Sequence, residues 1–148
     1  MMELADGTLL GVRVWTLASS AAILLFAGLA DALLRWVVRR KVRRDEAVAA
    51  ATPESERRVL YWVDRGLLAA IPPLALLIWV FAVYGAATTI VNDLAPTDGT
   101  LLALRLAVVA QDLGTMAALF WLLTRIGRVA DAAFNSFSSQ TANAWDDA

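Results

Sequence analysis

The chain contains no cysteine and no histidine. Without thiols it forms no disulfide framework and no thiolate metal site, and without imidazoles it lacks both a common metal ligand and a histidine acid–base relay. The redox compartment stays undetermined. No constellation of side chains reads as an enzyme active site, and none calls for a cofactor or a metal. Charge is scarce as well: 18% of the 148 residues are charged against 59% hydrophobic, and the mean hydropathy is +0.61. That is too apolar for a soluble domain of this length, so the bilayer is the solvent to reason with. There is no internal repeat and no low-complexity domain.

What is present is long uncharged runs. Residues 14–30 carry no charge, and the apolar character continues through Leu33, Leu34, Trp36, Val37 and Val38, enough for a spanning helix of about 20 residues. A first crossing is expected over residues 9–38, with Asp31 and Arg35 side by side at i,i+4 near its end. A cleavable signal peptide does not fit, because the basic cluster follows the apolar run and no basic n-region precedes it. The second run, residues 66–92, is the longest and at 1.5 Å per residue exceeds a hydrocarbon core of roughly 30 Å. It predicts a crossing over residues 64–91. Pro72 and Pro73 lie inside it, and their missing backbone donors predict a bend about one turn above the helix start. The third crossing is expected over residues 101–124, although Arg105, Gln111 and Asp112 interrupt it. Beyond it Ile126, Val129, Ala130, Ala133, Phe134 and Phe137 keep a helical stripe, which predicts an amphipathic extension to about residue 137. The expected fold class is therefore an all-α membrane protein, with three transmembrane helices within residues 1–135 and a polar link over residues 136–148.

The basic residues set the expected orientation. Arg39, Arg40, Lys41, Arg43, Arg44, Arg57 and Arg58 all fall in the first connection, which the positive-inside rule assigns to the cytoplasm. The amino terminus is then outside and the carboxyl end inside. The second connection, residues 91–100, holds Asp93 and Asp98 and no basic residue, while Arg125 and Arg128 mark the cytoplasmic end of the third helix. Trp15 lies near the expected outer boundary, Trp36, Tyr61, Trp62 and Trp121 near the inner one, and Trp79 fits neither belt. In the first connection Thr52 reads as an N-cap, Pro53 as the first helical position, and Glu54 and Glu56 as acids at the positive end of a new helix.

Each candidate motif has a plain reading beside a functional one. The seven-residue basic cluster serves as a topology signal, and it also suits anionic lipid head groups, at roughly 1 kcal/mol per basic side chain. Nucleic acid is not an expected partner, because no aromatic residues are interleaved with the basic ones in a soluble module. Arg105 and Asp112 lie two helical turns apart on one face, and ionisable groups within a span are a functional hypothesis by default. The plainer reading has Arg105 snorkelling outward and Asp112 pairing near Gln111 or with another helix. Asp146 and Asp147 point about 100° apart on a helix, which suits a helix amino terminus better than a metal site.

The phrase Thr141-Ala142-Asn143-Ala144-Trp145-Asp146-Asp147-Ala148, placed after an arginine-marked amphipathic helix, resembles the Thr-x-Thr-x-(hydrophobic)-Asp-Asp-Ala/Leu opening of the last membrane hairpin in MscS-like mechanosensitive ion channels. Asparagine stands here where threonine or serine is more usual. The resemblance implies that the three crossings are the extra outer helices of a larger family member, in a bacterial inner membrane. They would contact lipid and sense tension under osmotic stress within a homo-oligomer, a heptamer in this family. It also implies that Trp145, Asp146 and Asp147 open a pore hairpin continuing past Ala148. Two other readings stay open: a stand-alone helical membrane adaptor or assembly protein, and a transporter fragment using Arg105 and Asp112.

Overall fold

The computed structural model describes residues 7–9, 12–49 and 53–146. A minimal antiparallel hairpin, β1 (Thr8–Leu9) and β2 (Val12–Arg13), pairs Thr8 with Arg13 and Leu9 with Val12. Three long helices follow: α1 (Val14–Ala49), α2 (Glu54–Asp93) and α3 (Asp98–Asp146). Each contains a stretch long and apolar enough to cross a membrane, over Val14–Ala47, Val59–Asp93 and Asp98–Ser136. These stretches have 34, 35 and 39 residues, or about 50–58 Å at 1.5 Å per residue, against a hydrocarbon core of about 30 Å. Each stretch is therefore longer than the hydrocarbon core, which leaves room for its charged ends, Asp93 among them, outside it.

The packing positions recur every three and four residues. Thr16, Ser20, Ile23 and Ala27 on α1, Ala75, Ile78, Ala82 and Ala86 on α2, and Leu104, Ala107, Gln111, Gly114 and Ala118 on α3 are buried or half-buried. That spacing is the seam of left-handed helix packing. Most of these side chains are small, as membrane helices require: lipid tails are as apolar as leucine, so association comes from close backbone approach and a few hydrogen bonds.

The chain divides into two compact units, Met1–Leu33 with Ala75–Ala118, and Leu34–Leu74 with Leu119–Ala148. In the first unit the buried apolar residues are Val12, Ala27, Ala75, Ala82, Ala86 and Ala118, joined by buried Thr16 and Ser20. Ser20 Oγ donates to the Ala86 carbonyl at 3.2 Å, tying α1 to α2. A Cβ added at Gly114 would stand 2.8 Å from Val80 Cγ2, so only glycine permits the approach of α3 to α2 there. In the second unit Val38 and Asp64 are buried and Pro73 is fully enclosed. α2 continues as helix through Pro72 and Pro73. Membrane helices tolerate proline because neighbours and local adjustment re-satisfy the freed carbonyls.

Several boundaries differ from the sequence reading: α1 runs on to Ala49 and α2 begins at Glu54, so Pro72 and Pro73 lie about five turns into α2 and not one turn above its start. The first helix starts at Val14 and not near residue 9, because β1 and β2 take the preceding residues into a hairpin and the Val14 N–H donates to the Gly7 carbonyl at 3.0 Å. At the other end residues 136–146 form no separate link, and Asp146 does not stand at a helix amino terminus as expected: α3 runs on to Asp146, its last residue. No glycine or proline follows Gly127, and Ser136 and Ser138 bond back to the carbonyls of Ala133 and Asn135 at 2.9 and 3.2 Å, so the hydroxyls are absorbed by the helix itself. Thr52 lies outside the described residues. Pro53 stands one position before α2, its carbonyl accepting from the Arg57 N–H at 3.0 Å.

Candidate functional site

The three helices expose an extensive apolar exterior. In the most apolar window of the three stretches only 11%, 17% and 6% of the residues are buried within the protein. Leu25, Phe26 and Leu29 on α1, Phe81 and Val83 on α2, and Leu113, Met116 and Phe120 on α3 are all exposed. An exposed apolar area of this extent belongs against lipid. Within the first unit an open groove of about 370 Å³ is lined by Leu76, Trp79, Val80 and Val83 of α2 and Ala107 and Gln111 of α3, among others. Trp79, which fits neither aromatic belt, is a wall of this groove.

One end of the first unit is closed by an ionic clasp. Asp93, the last residue of α2, accepts from the Arg13 backbone N–H at 2.7 Å, from Arg13 Nε at 2.6 Å and from Thr16 Oγ at 2.9 Å. The Arg13 guanidinium adds a second nitrogen at 2.5 Å, and the Asp93 side chain is only 5% exposed. The carboxylate thus caps the start of α1 from another helix, at the positive end of the dipole. The hydrogen bonds from the Arg13 side chain, then from its backbone, lower the Asp93 carboxyl to a pKa of about 2, and the same contact raises Arg13. The short connection is capped too: the Thr100 N–H donates to Thr97 Oγ1 at 3.2 Å and the Thr97 N–H to Thr100 Oγ1 at 2.8 Å, a reciprocal cap at the start of α3.

The second unit carries the basic cluster. Arg39, Arg40, Lys41, Arg43, Arg44 and Arg57 are exposed; the Arg58 side chain lies outside the described residues. Lys41 pairs with Asp45 one turn on and with buried Asp64 of α2 at 3.5 Å, pinning α1 to α2. Each helix adds an aromatic ring with an arginine one turn later: Arg40 over Trp36 at 5.0 Å, Arg65 over Tyr61 at 5.2 Å and Arg125 over Trp121 at 5.2 Å. Each such pair contributes about 0.5–1 kcal/mol where exposed and places a cation beside an amphipathic ring, the chemistry of a head-group boundary.

Arg105 and Asp112, in the first unit, are both exposed, and among the described residues neither has an ion-pair or hydrogen-bond partner. Phe134 is exposed. The side chains of Phe137, Trp145 and Asp146, and Asp147 altogether, lie outside the described residues. Sequence reasoning missed the clasp of Arg13, Thr16 and Asp93, which joins residues 80 positions apart and leaves no local pattern. It also missed Arg65, although the aromatic-x-x-x-Arg spacing on all three helices was there to be read. Among the described residues no group of three or more Asp, Glu, His or Cys is placed to hold a metal. No family model matches the chain, and neither does any curated protein or solved structure.

Proposed function

We propose that this chain is the membrane-embedded, lipid-facing region of an MscS-like mechanosensitive channel, its amino terminus outside a bacterial inner membrane and its carboxyl end in the cytoplasm. The observation that carries the reading is α3, helical without a break from Asp98 to Asp146, which joins a lipid-exposed span directly to the phrase at Thr141 to Ala148. Tension favours whichever state occupies more area in the plane of the membrane, and it acts through the difference in lipid contact between states. Helices with few buried residues offer that contact, and a helix with no glycine or proline after Gly127 carries their tilt toward whatever follows. A bend at Pro72 and Pro73, where two backbone donors are missing, gives α2 a place to move. The basic cluster and the three aromatic–arginine pairs hold the cytoplasmic boundary against anionic head groups.

Patch recording under suction tests this on the product of the parent gene. Removing residues 1–135 should leave a conducting pore and shift the tension needed to open it; an unchanged threshold rules these helices out as the sensor. A stand-alone membrane adaptor is the second reading, favoured by Asp112 on α3, which is exposed and has no ion-pair partner among the described residues.

A further inference from the structure

The basic cluster divides between two faces of α1. At about 100° per residue, Val38, Lys41, Val42 and Asp45 fall on one side, and it is the packed one. Val38 is buried, Val42 and Asp45 are half-buried, and Lys41 is spent on Asp45 and on buried Asp64 of α2. Arg39, Arg40, Arg43 and Arg44 fall on the opposite side and are all exposed. Among the described residues no carboxylate forms an ion pair with any of the four: Asp45 acts on Arg44 only through space, and exposed Glu46, one turn beyond Arg43, is not bonded to it. Trp36, 54% exposed, stands within the same arc, with the Arg40 guanidinium over its ring at 5.0 Å. A tryptophan at the end of an apolar run marks the head-group level, and Arg39 to Arg44 follow it by about 4.5–12 Å along the axis. Side chains on a helix lean toward its amino end, which here is the membrane side, so the guanidinium groups reach back toward the phosphates.

The four arginines form two pairs. Arg39 with Arg43 and Arg40 with Arg44 are each at i,i+4, with Cβ atoms about 5–6 Å apart, and guanidinium groups converging on one phosphate are the strong, directional form of anion recognition. The pairs lie side by side, about 100° apart around the helix. One phosphate occupies one pair, and two phosphates tied into a single head group use both at once. We propose that this face of α1 binds an anionic phospholipid whose head group carries two linked phosphates, one on each arginine pair. Charge complementarity beside an interfacial tryptophan names the occupant: four cations with no paired acid, at the level where lipid phosphates stand. The proposal rests on the reading of the basic cluster as a head-group surface and adds which lipid that surface selects. Lys41, turned toward α2, has no part in it.

Lipid selectivity in phosphatidylcholine vesicles holding the full chain tests this, with a trace of spin-labelled lipid whose slowed fraction measures association. Spin-labelled diphosphatidylglycerol should associate roughly twofold or more better, per phosphate, than spin-labelled phosphatidylglycerol, because the second phosphate binds at high effective concentration. Arg39→Gln with Arg43→Gln removes one pair and should bring the two lipids to parity per phosphate. Arg105→Gln with Arg128→Gln removes the same charge elsewhere and should leave the preference intact. Parity in the parent chain, a preference that survives loss of one pair, or its loss in the Arg105 and Arg128 variant would overturn the proposal. So would displacement of the lipid by millimolar inorganic pyrophosphate, which would make a soluble diphosphate the ligand. Parity between two well-held anionic lipids refutes the two-phosphate site alone, whereas anionic lipids held no better than phosphatidylcholine refute the head-group reading with it.

Discussion

Asp93 stands one position past the uncharged run of α2 and accepts two hydrogen bonds from Arg13, the last residue of β2, and one from Thr16 in the first turn of α1, so one carboxylate ties the end of α2 to the start of α1. Its ionised form is the one the clasp holds. A carboxyl lowered from 3.8 to about 2 contributes stability fully above the ordinary value, and loses it as the pH falls through the folded one. The clasp should therefore stay closed from neutral pH to about pH 4 and open only on approach to pH 2. The carboxyl ¹³C shift of Asp93 reports this directly: a midpoint near 2, returning toward 3.8 in Arg13→Ala, is the expected result. A midpoint near 4 in the parent chain would mean that Arg13 and Asp93 are not in contact. Neither residue stands out in the sequence. Arg13 reads as the lone charge before an apolar run and Asp93 as a loop acid, and only the antiparallel return of α2 beside α1 brings them together.

Among the elements, the three helices were legible because their cause is local: long apolar runs separated by short charged or polar connections. Boundaries were less so. The hairpin before α1 depends on pairing Thr8 with Arg13 and on a cap from the far end of α2, neither of which a single apolar run encodes. The helical course of residues 136–146 was obscured by serines and threonines that suit loops and caps yet can bond back to their own helix. Packing of α2 on α3 turns on a residue the sequence reading passed over. Gly114 lets α3 come so close that a Cβ would meet Val80 Cγ2 at 2.8 Å and Cγ1 at 3.2 Å, and valine cannot swing away as a flexible side chain would. Gly114→Ala gains up to about 1 kcal/mol of helix propensity, while overpacking costs about 1–3 kcal/mol. Gly114→Leu adds bulk without further propensity gain, so it should destabilise the α2–α3 contact clearly, and unfolding from bicelles with a steric trap should show it. Stability equal to the parent in Gly114→Leu would contradict this packing.

At the scale of the whole molecule, exposed apolar surface runs along all three helices and charge gathers at a few places on each unit. Lipid-exposed α1, α2 and α3 are built on small packing residues, the clasp of Arg13 and Asp93 closes one end of the first unit, and the basic cluster with its aromatic–arginine pairs occupies the second unit. The sequence made the basic cluster and the acidic connection visible, because charge counts survive without coordinates; it could not show that Asp112 and Arg105 remain uncovered, because exposure is a property of packing. A lipid-facing sensor of the proposed kind requires three crossings with the first connection inside and the second outside. Single cysteines at Ser55 and Thr97 in this cysteine-free chain measure that directly, using a membrane-impermeant thiol reagent added to intact cells. Thr97 should be labelled and Ser55 should not until the cells are opened; labelling at Ser55 with none at Thr97 would contradict this topology.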